Sequence, residues 1–110
     1  MTRCFKMIVS YQIYEQSGDV LLAACDKGLL GDTLEEGDIS LEVKEDFYGG
    51  NLIEIEPDSE RTDLDTKFER STIANLVGEN VVEAALDAGL GDEKDVMWIQ
   101  GIPHLQIVHL

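Results

Sequence analysis

The chain opens on an alternation that leaves its backbone little choice. Phe5, Met7, Val9, Tyr11 and Ile13 fall on one side of an extended segment, and Lys6, Ser10 and Gln12 on the other. Side chains of a strand point alternately to opposite faces, so the pattern predicts a half-buried strand over 5–14. Glu15 to Asp19 form a loop in which Gly18 is free to adopt positive φ. Val20 to Cys25 is an uninterrupted apolar run of six. A run that short fits a buried strand or a buried helix, and the loop before it favours a hairpin.

Further along, Leu29-Leu30 between Gly28 and Gly31 fits a single helical turn or a tight loop. Ile39, Leu41 and Val43 alternate as a third strand. Phe47-Tyr48-Gly49-Gly50 reads as a turn with two aromatic anchors, Leu52 to Ile55 as a fourth strand, and Pro57-Asp58-Ser59 as its end. The period then changes. Thr62 or Asp63 can cap a helix carrying Leu64, Phe68, Ile73, Leu76 and Val77 on one face. Gly78 interrupts it, and Val82, Ala85, Leu86 and Gly89 mark a second helix. Met97-Trp98-Ile99 and Leu105 to Leu110 read as two strands about a turn at Gly101-Ile102-Pro103-His104. The expected architecture is a single α+β domain over residues 1–110. Its mainly antiparallel sheet has about five to six strands, with a helical hairpin (about 62–77 and 79–88) packed on one side.

Composition supports a packed core: 44% of the 110 residues are apolar and 28% charged. With 8 basic and 23 acidic side chains the formal charge is −15. A phosphate clamp draws on Lys and Arg, so direct nucleic-acid binding is not expected. The excess fits adaptation to a salty cytosol, or a surface for a basic protein partner. The charge is uneven. Residues 45–95 hold 15 acids and 4 bases, whereas residues 96–110 hold neither. That uncharged tail is either a buried central hairpin or an apolar surface covered by another subunit, which makes a homodimer a further expectation. It is too short to span a bilayer, and the first residues read as a strand rather than a signal peptide. Cys4 and Cys25 lie 21 residues apart without a C-x-x-C, as reduced thiols do. The expectation is a cytoplasmic protein with no membrane association.

Four segments in series carry a family resemblance. They are Cys25-Asp26 with Leu29-Leu30-Gly31, and Leu41-Glu42-Val43 leading to Phe47-Tyr48-Gly49-Gly50. Then come Ile73 to Glu79 ahead of Val82, Ala85 and Gly89, and Gly101-Ile102-Pro103-His104-Leu105-Gln106. In this order they resemble the archaeal family known as domain of unknown function 424, over roughly residues 6–110. The acidic segment from Glu54 to Asp65 and the extent of the charge excess look individual to this chain. The resemblance implies an archaeal, cytoplasmic, stand-alone domain. It brings no activity, cofactor or catalytic residue, and only an associational link to translation or RNA processing.

Two readings of the chemistry compete. A thiol becomes nucleophilic when a base favours its thiolate, so Cys25 with His104, oriented by Asn75 or Asp26, could form a small hydrolase or transferase site. Against this, Cys25 closes an apolar run as a buried cysteine does, and His104 follows Pro103 in a turn where its ring could bond a carbonyl. No metal site and no cofactor are expected. His104 and His109 are five apart and so on opposite faces of a strand, and Asp63-x-Asp65 lacks a calcium-loop spacing. Gly78 ahead of a helix could seat an anion, although Glu79 already places a negative charge there. Glu79, Glu83 and Asp87 at i, i+4 and i+8 would oppose DNA and could meet a basic partner. Either Phe47 and Tyr48 cover the core edge while Gly49 and Gly50 turn the chain, or Tyr48 and the glycine backbone at Gly49 form part of a small pocket near Asn75 and His104. Gln106 completes the ligand-binding candidates. The favoured function is a non-enzymatic binding or adaptor module; the alternative is the enzyme using Cys25 and His104.

Overall fold

The computed structural model describes residues 7–55 and 63–108. Cys4, Phe5, Pro57, Thr62 and His109 lie outside them. β1 (Met7–Gln16) and β2 (Asp19–Asp26) form the expected hairpin, with Ser10 opposite Cys25 and Tyr14 opposite Leu21. β3 (Thr33–Glu36) and β4 (Ile39–Glu42) make a separate two-stranded hairpin. A short helical turn, α1 (Glu45–Tyr48), leads into β5 (Asn51–Ile55). Then follow α2 (Asp63–Arg70), β6 (Ile73–Val77), α3 (Glu79–Asp87), β7 (Met97–Ile99) and β8 (Ile102–Val108).

Six strands form one sheet in the order β5-β1-β2-β6-β8-β7. Only the β2–β6 pair is parallel; the other four are antiparallel. The α+β class and the mainly antiparallel sheet therefore stand as expected. The helical hairpin does not. Its second arm is α3, but its first arm stops at Arg70, and residues 73–77 form a strand at the centre of the sheet. The reason is burial on both faces. Ala74 and Leu76 enter one apolar layer and Val77 enters the other, so the segment reads as a continuous apolar run.

The sheet separates two cores. On one face α2 and α3 pack Leu64, Phe68, Val81, Val82 and Ala85 against Val9, Leu22, Ala24, Leu76 and Leu105. On the other, the β3–β4 hairpin and α1 lay Leu34, Val43 and Tyr48 over Ala23, Cys25, Val77 and Ile99. The uncharged tail is split by this arrangement. β8 lies inside the sheet, while β7 is an edge strand on which Met97 and Trp98 stay exposed. His104 is in β8 rather than in a turn; the turn is at Gln100-Gly101. Pro103 is tolerated inside β8 because its backbone faces β6 just beyond that strand's end. There its carbonyl accepts from Gly78 N–H at 2.9 Å, and no ladder bond needs the missing N–H.

Candidate functional site

Two surface features emerge, one on each face of the sheet. The first is built where β2, β6 and β8 run side by side. Cys25 is in register with Val77, and Val77 with His104, so the cysteine and the histidine share a face. β6 lies between them. Two strand spacings put their Cα atoms about 10 Å apart. Cys25 is fully buried, and burial with the neighbouring Asp26 carboxylate pushes its thiol up to about 12. A thiol held protonated and sealed from solvent is packing rather than a nucleophile.

His104 is paired with Asn75 instead: its Nε2 lies 2.9 Å from Asn75 Oδ1. The Tyr48 hydroxyl donates to the same oxygen at 2.9 Å. Tyr48 is placed by α1, which packs on β1 and β2. The Ser10 hydroxyl donates to the Tyr48 carbonyl at 3.0 Å, and Phe47 packs edge-on to the Tyr48 ring. Tyr48 is 2% exposed, and burial, with Cys25 nearby, pushes its hydroxyl up to about 12. Burial also lowers the pKa of His104, which favours the neutral ring. Tyr48, Asn75 and His104 thus come together as one of the two readings of Phe47–Gly50 supposed, and Tyr48 also covers the core as the other did.

The remaining candidates take other places. Gly49 donates its N–H to the Glu45 carbonyl at 2.8 Å and closes α1; a Cβ there would lie 2.5 Å from that oxygen. Gln106 is exposed opposite Asn75. Gly78 has φ +121°, and a Cβ on it would meet the Asp26 carboxyl at 2.5 Å. Asp26 fills the expected anion position: its carboxylate accepts from Asn80 N–H and Val81 N–H, both at 3.0 Å. The first turn of α3 is therefore capped by its neighbour strand. Burial raises the Asp26 pKa, and the two backbone donors oppose that rise. Among the described residues no group of three or more His, Cys, Asp or Glu is arranged to hold a metal ion, and no helix is long and apolar enough to cross a membrane.

The second feature lies on the helical face, where sequence reasoning had found only its rim. A groove of about 500 Å³ runs between α3 and the edge strand β7. Val82, Leu86, Val96, Trp98 and Pro103 form its apolar lining, and Glu79, Glu83 and Glu93 its acidic rim. Trp98 is 57% exposed, an unusual position for the one tryptophan of the chain. Asp87, the third acid of the α3 stripe, lines a separate pocket of about 340 Å³ with Asp65, Glu69, Phe68 and Leu90. The signal for the groove was the alternation of Val96, just before β7, and Trp98 within it, after an acidic helix.

Comparison with known proteins places these features in context. The sequence model of a family described as "Protein of unknown function (DUF424)" matches residues 14–110. A crystal structure of an uncharacterized conserved protein from Methanopyrus kandleri is similar over 94% of each chain, with 29% identity and a TM-score of 0.72. No curated protein matches the chain.

Proposed function

The chain belongs to the DUF424 family, and we propose that it is a non-enzymatic binding module of the cytoplasm whose α3–β7 groove takes a basic segment of a protein partner. The observation that carries this reading is the groove itself: an exposed Trp98 on an apolar floor, rimmed by Glu79, Glu83 and Glu93. Tryptophan is among the residues that anchor interfaces, and a carboxylate rim steers and orients a cationic partner. A second copy of this chain fits poorly. It would bring a surface with 23 acids and 8 bases against the same rim. Proteins that bind nucleic acid carry the Lys and Arg that this rim would recognise, which is the support for a place beside translation or RNA processing. The buried, protonated Cys25 removes the support that an enzyme reading needs.

The test uses Trp98 as its own reporter. Synthetic Lys/Leu amphipathic peptides are titrated into the protein and tryptophan emission is followed. The expected result is a saturable blue shift with the basic peptide and none with its Glu/Leu counterpart. Affinity falls by about tenfold or more in the Glu79→Gln/Glu83→Gln/Glu93→Gln variant and in molar KCl, where the Debye length is about 3 Å. Equal binding of both peptides, or binding indifferent to the three glutamates, would contradict the reading.

A further inference from the structure

The outer edge of β7 carries a feature that the groove alone does not explain. β7 closes one end of the sheet, so only its β8 side is paired. In an antiparallel ladder both backbone polar groups of a residue point to the same side, and successive residues alternate sides. Pro103 turns its carbonyl away from β7, onto Gly78 N–H at 2.9 Å. Its register partner Trp98 therefore belongs to a non-hydrogen-bonded pair, and the Trp98 N–H and C=O point outward from the sheet edge. The turn agrees. Gln100 and Gly101 have φ of 53° and 77°, as in two-residue hairpin turns, whose flanking pair, here Ile99 and Ile102, is the hydrogen-bonded one. The outward N–H groups on either side of Trp98 are already taken. Val96 N–H donates to the Glu93 carbonyl at 3.1 Å, and Gln100 N–H to the Glu36 carboxylate at 2.9 Å. Edge strands are commonly blunted by such brevity and nearby charge. Trp98 is the gap: among the described residues, neither of its outward groups has a partner.

The same residue thus offers the groove an exposed indole and offers the edge an unpaired donor and acceptor. We propose that the basic segment taken by the groove binds as an extended strand, added to the sheet beyond β7 through the N–H and C=O of Trp98, an inference that rests on the groove being the binding surface. Side chains of residues paired across a ladder share a face. The segment's residue opposite Trp98 therefore points into the groove beside the indole. The residues two places before and after it point to the same side, toward the rim of Glu79, Glu83 and Glu93. The chemistry recognised is an apolar side chain flanked at i−2 and i+2 by Lys or Arg. Residues at i−1 and i+1 fall on the other face, beside the exposed Met97. A helical segment satisfies its own N–H groups and leaves those of Trp98 open, whereas an added strand gains affinity from the main chain and specificity from alternate side chains. Pairing with β7 of a second copy would set two glutamate rims side by side, which charge repulsion opposes.

The test uses the full chain and a short peptide, acetyl-Thr-Lys-Thr-Leu-Thr-Lys-Thr-amide, with a set of analogues each methylated at one backbone nitrogen. Hydrogen exchange of the Trp98 amide is followed by NMR with and without the peptide, and affinity by indole emission. The expected result is exchange of the Trp98 amide slowed by about tenfold or more at saturation. One methylation should weaken binding by about tenfold, because the Trp98 carbonyl loses its donor, while positions whose N–H points away from the edge leave affinity unchanged. Binding that moves the indole but leaves Trp98 amide exchange unaltered, or that no single methylation weakens, overturns strand addition while the groove still takes a basic partner. Failure of this peptide where a helical Lys/Leu peptide binds does the same. Protection of the Trp98 amide in the free protein that rises with protein concentration also overturns it, by placing a second copy on the edge. If no basic peptide of either kind binds, the groove reading falls and strand addition falls with it.

Discussion

His104 shows how much one residue's setting differs from its sequence neighbourhood. Beside Pro103 it reads as a turn residue, yet the ladder places it opposite Val77 with its ring on Asn75. Its lowered pKa has a defined sign. The unfolded ring, with a pKa near 6.5, binds a proton more readily than the folded one. The stability this residue contributes is present above about pH 6.5 and is lost as pH falls through the folded value. Asp26, raised by burial, acts in the opposite sense, so the effect is read as a difference between variants. Denaturation of the wild type and His104→Gln from pH 8 to pH 5 should show the wild type losing stability relative to the variant towards acid. A gap that is constant, or that widens in favour of the wild type, would show that the ring is not desolvated in the fold.

Among the elements, the strand β2 does the most to position others. Its apolar centre fills both cores, and its last residue caps a helix 53 residues further along the chain, through Asp26 to Asn80 N–H and Val81 N–H. Replacing a capping side chain typically costs about 0.5–2 kcal/mol, so Asp26→Ala should lower unfolding free energy by about 1–2 kcal/mol in a urea titration. An unchanged midpoint would mean that water or Glu79 replaces the cap. The strands β1, β2, β5 and β7 and the helix α3 were legible because each carries its own period or a flanking glycine. β6 was not. Leu64 and Phe68 start a helical spacing that Ile73, Leu76 and Val77 can continue on paper. The break at Ser71-Thr72 is enforced from outside, by Thr72 N–H on the Val20 carbonyl at 2.8 Å. β3 was missed because only Leu34 of its four residues turns inward. The meeting of Tyr48, Asn75 and His104 was open to sequence reasoning as one alternative, but Trp98 was not singled out, since its exposure depends on β7 ending the sheet.

At the scale of the molecule, the sheet divides two kinds of surface. The helical face combines acids with an exposed aromatic groove, and the opposite face offers neutral polar groups beside aromatic rings. Diffuse negative charge alone would attract any cation to every carboxylate, whereas a site concentrates binding where apolar floor and charge coincide. The most direct test is therefore to map where a basic amphipathic peptide lands, by ¹H–¹⁵N chemical-shift perturbation across all assigned amides. The predicted result is a perturbed set confined to α3, β7 and the residue before it, centred on Val82, Leu86, Val96 and the Trp98 indole, with the opposite sheet face unmoved. Small shifts spread over the carboxylates of the whole surface, with Trp98 silent, would contradict the groove and leave the charge as bulk electrostatics.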